Sequence, residues 1–457
     1  MNPDKKHDEL PQLQVQVLEE GCPAMDGWES LYLGKDIIFS TWALQSYAFA
    51  RWDPLIFDVI VLAAGIEYAD KVLRRPSLGW ARRIRLKIPV HSLDVWSSST
   101  VATALQNAVE FLTGDYWTFE FVQRVLPAKP PSQDSLQFPA NTVAVLPYSD
   151  GMDSRSVAGI LGKAYKNQLV RVRVGSKSWD RKISAKNCEP FTTVPYKVPV
   201  RARNRETSGR SRGFKYTIIS CIAAYLAGAT EIVIPESGQG ALGPAIMNVG
   251  HGYPDYRNHP FFTKKMEHLY KQLFGSELHF IFPRIWSTKG ETLKEFVEVC
   301  NGADWKSTRS CWQSNIWAGV NGKLRQCGIC AACMLRRVSV HAAGLVEDPD
   351  VYIVTDLTAK SMESAVHKGY SKVTKAFKEY AIAGTLHMDD LARMADAAAS
   401  PIVKRHATLL ASVMDLPCQE AEQRLGALLN RHAKEWRNYL ESLGEDSFVK
   451  QWVRVEI

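Results

Sequence analysis

No apolar run in this 457-residue chain is long enough to cross a bilayer. The longest, residues 56–66, is broken by Asp58 and reads as a buried helix, so no membrane role is expected. The opening Met-Asn-Pro-Asp-Lys-Lys is followed by no apolar stretch, which leaves no secretory or transit signal and makes a cytoplasmic location the expectation. Without secretion, the nine cysteines are not a disulfide framework, and their clustering matters more than their number. No Gly-x-x-x-x-Gly-Lys-Ser/Thr sequence occurs, which excludes a Walker loop. Internal repeats and low-complexity tracts are missing too, so a solenoid is excluded. Neither sign of charge dominates: 56 Lys and Arg oppose 48 Asp and Glu, an excess that favours anionic partners without indicating nucleic acid.

What is present is a globular composition, 46% apolar and 23% charged, over a length that calls for more than one domain. In residues 1–125, strands alternate with helices. Arg83-Ile84-Arg85-Leu86-Lys87-Ile88 puts apolar and basic side chains on opposite faces, and residues 116–125 place Trp117, Phe119 and Phe121 on one face. With a long helix over 54–75, this reads as an N-terminal α+β domain. Residues 126–140 carry Pro127, Pro130, Pro131 and Pro139, which remove donors and fix φ, and a linker is placed there. From 141 the pattern becomes strand 142–146, helix 157–165, strand 169–174, helix 216–227, strand 231–235. That is the alternation of a doubly wound parallel α/β sheet, assigned to residues 141–345. Residues 346–457 show mainly helical periodicity and form a C-terminal helical region.

Between the strand ending at Pro147 and the helix beginning near Arg155 lies Ser149-Asp150-Gly151-Met152-Asp153-Ser154. A tight loop from strand to helix aims unpaired backbone N–H groups and the positive helix end at one point, which suits pyrophosphate. Ser149 and Ser154 add hydroxyl donors. Taken alone, an Asp-Gly dipeptide is more often an ordinary turn with an N-cap.

Cys327, Cys330 and Cys333 form Cys-x2-Cys-x2-Cys, with Cys311 sixteen positions earlier. Four thiolates so spaced close a tetrahedral zinc site, structural rather than catalytic because no coordination position stays open. An iron–sulfur cluster competes, but Arg337 stands where a ferredoxin run has its fourth cysteine. Cys22, Cys221, Cys300 and Cys418 are isolated and read as core residues.

The loop resembles the Ser-Gly-Gly-x-Asp-Ser loop of PP-loop ATP pyrophosphatases, adenine nucleotide alpha hydrolase-like enzymes that cleave ATP to AMP and pyrophosphate. Asp150 stands where that family has its first glycine. Loop and cysteines together resemble QueC, the enzyme that makes 7-cyano-7-deazaguanine, and further segments match in order. Gly209-Arg210 resembles the family's Gly-Arg-Asn, Gly252-Tyr253-Pro254-Asp255-Tyr256-Arg257 its Gly-Tyr-Pro-Asp-Cys-Arg, and Trp286 with Lys289, Glu291 and Thr292 its Trp-x-x-Lys-x-Glu-Thr. Cys311-Trp312 and the Cys-Gly-Ile-Cys-Ala-Ala-Cys run from Cys327 to Cys333 complete it. The resemblance spans about residues 142–340. Neither flank has a counterpart in ordinary QueC, and the longer layout is similar to QueC-like (QatC-like) members of bacterial antiphage defence operons.

The resemblance implies ATP and magnesium as cofactors, structural zinc, and adenylation of the carboxylate of 7-carboxy-7-deazaguanine before transfer to an amine. It assigns Ser149, Asp150, Gly151, Met152, Asp153 and Ser154 to pyrophosphate, with Asp153, Ser154 and Lys289 in the chemistry. Arg210, Glu236, Tyr253, Asp255 and Arg257 are the candidates for substrate. Asp255 or Glu236 would accept the paired N–H donors of a guanine-like edge. Arg201, Arg203, Arg205, Arg212 and Lys215 crowd near Arg210 and read as a solvated basic segment. His251 and His259 are given no role. Three readings stay open: acyl transfer to a partner protein, a free-standing nitrile synthase using ammonia, and a zinc-stabilised nucleic-acid-binding module without catalysis.

Overall fold

The computed structural model describes residues 10–39, 53–76, 80–126, 141–174, 194–202, 205–247, 253–302, 304–313 and 319–454. The proline-rich linker from 127 onward, Arg203, His251 and Gly252 lie outside these. Two compact units interleave along the chain: one takes residues 1–149, 165–234 and 255–281, the other 150–164, 235–254 and 282–457. The first unit therefore draws on both sides of the linker, and the second on both sides of residue 345.

The first unit opens with β1 (Gln12–Leu18), β2 (Glu29–Tyr32), α1 (Pro54–Val72), β3 (Arg83–Val90), α2 (Ser99–Thr113) and β4 (Tyr116–Gln123). The strands form one sheet in the order β2-β1-β3-β4, and every pair is parallel. The α+β layer expected for residues 1–125 is thus a parallel α/β layer, because α1 and α2 act as crossovers that return the chain in the same direction. Ile84, Leu86 and Ile88 of β3 are buried while Arg83 and Arg85 face out, as the alternation requires. Asp53 caps α1, its carboxylate accepting from the Leu55 N–H at 2.8 Å. The helix ends at Val72 rather than 75, since Pro76 disfavours α geometry in the residue before it.

Asp58, which interrupts the apolar stretch, is fully buried inside this layer. It accepts from the N–H groups of His91 and Ser92 and from the Trp96 ring N–H, so its charge replaces lost water with fixed donors. A second buried group joins α1 to the strands: Arg75 and Arg82 both contact Asp70 and Asp115, at 2.6–3.0 Å, with side chains at most 2% exposed. Two cations and two anions balance there. Asp70 also accepts the Ser211 N–H at 2.7 Å, tying the layer to the turn ahead of a later helix.

The chain continues through β5 (Ala144–Tyr148), α3 (Met152–Tyr165), β6 (Leu169–Arg173), α4 (Arg212–Ala227), β7 (Glu231–Val233), α5 (Pro260–Phe274) and β8 (His279–Ile281). These strands form a second parallel sheet in the order β8-β7-β5-β6. Strand order reverses at β5, which lies between β6 and β7. In open parallel sheets, ligands gather beyond the carboxyl ends of strands at such a reversal, and the Ser149-Asp150-Gly151 turn leaves from that end of β5.

The second unit holds most of α3 together with α6 (Lys289–Val299), α7 (Ala331–Ala342), α8 (Lys375–Arg393), α9 (Ser400–Met414), α10 (Cys418–Ser442) and α11 (Phe448–Arg454). The C-terminal helices share cores with earlier residues: Cys327, Ile329 and Met334 pack with Phe377, Met388, Trp436 and Phe448, and Leu242 and Ile285 with Leu391, Leu410 and Leu428. No helix among the described residues is long and apolar enough to cross a membrane.

Replacing Asp115 with Ala leaves Arg75 and Arg82 short of a buried counter-charge, and a loss of about 3–5 kcal/mol is expected from breaking such a group. Urea unfolding measures it; a midpoint shift worth under about 1 kcal/mol would mean that these arginines reach water.

Candidate functional site

The turn between β5 and α3 is short, and Met152, the first residue of the helix, anchors it by burying against Leu293, Phe296 and Trp305. Non-glycine residues with positive φ are, among those described, Trp80, Lys166, Asn301, Asn321 and Asp415, so Asp150 makes its turn without a left-handed backbone. The Ser154 hydroxyl donates to the Gly151 carbonyl at 3.2 Å and the Arg155 N–H to the same oxygen at 3.2 Å, which closes the first turn of α3. Asp153 lies in that first turn, where the helix dipole favours a carboxylate.

Lys289 meets Asp153 in an ion pair between its Nζ and Oδ2, with side chains only 8% and 12% exposed. The other carboxylate oxygen, Oδ1, is buried without a partner among the described residues. Lys289 is the first residue of α6. The preceding Thr288 is its N-cap, in a reciprocal box with Glu291: the Thr288 hydroxyl accepts the Glu291 N–H at 3.1 Å and Glu291 accepts the Thr288 N–H at 2.8 Å. Three helix-start features therefore fix the lysine: its own N–H, the cap and the buried stem. A cationic head and the α3 N-terminus therefore face the Asp153 carboxylate from two sides.

The four cysteines meet as expected. Their sulfurs all lie within 4.8 Å of one another, and Cys327 Sγ is 3.8 Å from Cys333 Sγ. A tetrahedral ion with metal–sulfur bonds of about 2.3 Å spaces its ligands by about 3.8 Å, so the donor set fits zinc. Backbone N–H groups of Cys327 and Gln313 point at Cys311 Sγ, at 3.2 and 3.4 Å, and that of Cys330 at Cys327 Sγ, at 3.3 Å. Hydrogen bonds from Cys327 and its neighbours hold the Cys311 thiol well below its usual range, whereas burial pushes Cys333 up. Gly384 of α8 lies so close to this knuckle that a Cβ there would sit 2.7 Å from the Ala331 nitrogen and the Ile329 oxygen.

The thiol module also touches the loop. The Arg309 N–H donates to the Asp150 carbonyl at 2.7 Å, while the Arg309 guanidinium reaches the Arg325 carbonyl at 3.2 Å. Gln326 Oε1 accepts from Ser310 and Cys311 N–H groups, at 2.8 and 3.2 Å, and shapes the segment that leads into the first ligand. Arg309, Gln326 and the Gln239 described below carry no motif and were not among the candidates; only the Thr288-to-Glu291 spacing was readable as a helix start.

The remaining candidates fall in both units. Glu236 and Tyr253 lie in the unit of Lys289, and Ser149, Arg210, Asp255 and Arg257 in the other. Asp255 pairs with Arg257, whose Nε is 2.7 Å away; burial opposes its ionisation, but Arg257 outweighs burial and holds the carboxyl below its usual value. Arg210 sits 4.9 Å from the Trp80 ring centre, and burial lowers its guanidinium from the ordinary range. Lys215 is engaged by Glu67 at 2.7 Å. His259 caps α5, its Nδ1 accepting the Phe261 N–H at 3.1 Å.

Parallel sheets, a strand-to-helix turn with a paired lysine, and a four-thiol knuckle define a mixed α/β protein that fits a PP-loop-like core. Residues 236–344 match the family model of QueC, described as the queuosine biosynthesis protein QueC. That segment holds Glu236, Tyr253, Asp255, Arg257, Lys289 and all four cysteines; the loop and Arg210 precede it. No curated protein and no solved structure matches the chain.

Cys330→Ser is expected to lower zinc content well below one ion per chain and to reduce soluble yield, read by atomic emission on purified protein. A full yield of stable, metal-free variant would remove the metal from the fold.

Proposed function

We propose that the protein is a QueC-like, ATP-dependent C–N bond-forming ligase acting on the carboxylate of 7-carboxy-7-deazaguanine or a related 7-deazapurine. The ion pair of Lys289 with Asp153 at the start of α3 is the observation that carries this reading. Together with the QueC-like segment it supports a doubly wound PP-loop core in which residues 149–154 hold the pyrophosphate of ATP. A carboxylate oxygen of the substrate attacks the α-phosphorus, the bond to the β-phosphate oxygen breaks, and pyrophosphate leaves. An amine then attacks the acyl carbon, AMP departs, and the amine gives up a proton. Preoriented N–H groups and Lys289 act on the departing pyrophosphate without reorganisation. The buried Asp153 Oδ1 is the acceptor that suits magnesium carried in by the nucleotide, and the Asp150 carboxylate adds charge for the same ion.

The acceptor amine is proposed to belong to a partner protein, to which the deazaguanine becomes attached in antiphage defence; ammonia, with later dehydration to the nitrile, is the other acceptor. Arg210, Glu236, Tyr253, Asp255 and Arg257 are proposed to meet the substrate.

Incubation with ATP, magnesium and 7-carboxy-7-deazaguanine, with ammonia or a candidate partner, is followed by mass spectrometry of small molecules and intact proteins. Free amide or nitrile identifies ammonia as acceptor, added mass on the partner identifies protein modification, and absence of AMP throughout rejects the reading. Asp153→Ala and Lys289→Ala are expected to cut AMP release by about 10²–10³-fold with an unchanged circular dichroism spectrum. Unaltered release would take the loop out of the reaction.

A further inference from the structure

The main-chain N–H of Lys289 donates to Gln239 Oε1 at 2.7 Å, and Gln239 is itself buried. With that oxygen engaged, the Gln239 amide hydrogens point at His432 Nδ1, 3.2 Å away, and Glu435 Oε2, 3.4 Å away. His432 Nε2 is 3.0 Å from the Met388 carbonyl, which can only accept, so the ring proton is on Nε2 and Nδ1 is free to receive the amide. Burial lowers the His432 pKa to about 4, which keeps the ring neutral. The second oxygen of Glu435 accepts the hydroxyl of Thr288, the cap of α6. Gly290, one residue past Lys289, leaves just enough room: a Cβ there would sit 3.0 Å from Glu435 Oε1.

His432 and Glu435 are one turn apart on α10, outside the QueC-like segment 236–344 that supplies Gln239, Thr288 and Lys289. A half-buried carboxyl against the first turn of α6, wired to the lysine's own N–H through one glutamine, is more than packing requires. Leucine would fill the volume without the desolvation cost.

We propose that Glu435, seated by His432, is a positioning residue that aims Lys289 through Gln239 and Thr288, so that the C-terminal helix α10 is part of the nucleotide site. This rests on the role given to Lys289 above. In its ionised form Glu435 accepts from both Thr288 and Gln239; protonated, it surrenders one acceptor and the two relays slacken together. Burial raises its pKa to about 7, with Glu291 adding to the effect. The charges that bear on it are Glu291 of α6 and Arg431 of its own helix, and from α8 His387 and Asp389 face its neighbour His432; Arg431 is held by Glu291 at 2.9 Å.

The test compares full-length, zinc-loaded wild type with Glu435→Ala, Glu435→Gln and Arg437→Ala, the last an exposed position on the same helix. Two readouts are taken. In AMP release, kcat/KM for ATP in wild type is expected to climb as pH rises through about 7, and Glu435→Gln to lose that limb and about tenfold in rate above it, at an equal or higher melting temperature. A limb kept in Glu435→Gln, or rates within about twofold of wild type, overturns the proposal. Should wild type release no AMP, the assigned reaction fails by itself, and amide hydrogen exchange of residues 288–292 decides the positioning. Exchange about tenfold faster in Glu435→Ala than in Arg437→Ala supports it, and equal exchange overturns it.

Discussion

An ammonium group buried to the depth of Lys289 is stable only beside a fixed counter-charge, because desolvation otherwise drives it to lose its proton. Asp153 supplies that charge from the first turn of α3, where the helix dipole already favours a carboxylate. The pair therefore locks two helix N-termini to each other within one compact unit. Two further features fit this contact: the capping box of α6 sets the lysine's backbone, and Met152 sets the depth of α3.

The thiol knuckle stands in the same unit and holds the loop from another side. Its influence runs through the main chain: Cys311 follows Arg309 by two residues, and Arg309 donates to the carbonyl of Asp150. A metal at the four sulfurs would fix the segment that presents this donor. Structural zinc contributes folding energy directly, so a zinc ion at the four sulfurs would steady this segment, and through Arg309 the loop, from a distance. Gly384 extends the dependence to the C-terminal helices, since α8 approaches the knuckle backbone more closely than any side chain at that position would allow.

The same economy explains the buried charges of the first unit. Asp58, Asp70 and Asp115 are all buried, and each is met by donors that the fold brings from other elements, His91 for Asp58, Ser211 for Asp70 and Arg82 for Asp115. Such groups do little for net stability compared with hydrophobic replacements, but they tolerate only one arrangement of their partners, and the parallel layer of β1 to β4 is that arrangement.

Much of this could be read directly from the residues. The period-two pattern of Arg83 to Ile88, the Cys-x2-Cys-x2-Cys run with Cys311, the strand-turn-helix around Gly151 and the helical C-terminus each depend on local spacing, and local spacing is written in the chain. The direction of the N-terminal strands was not legible, because alternation is the same in parallel and antiparallel sheets; only the helical crossovers decide. Gln239, Arg309, His432 and Glu435 were invisible for a different reason. Each acts through a hydrogen bond to a residue from 50 to 196 positions away, or to a backbone group, and neither kind of partner leaves a pattern in sequence. Sequence determined which charged and thiol side chains the chain carries and at what spacing; the tertiary structure decided which of them meet, because a buried charge is stable only where the fold brings its counterpart.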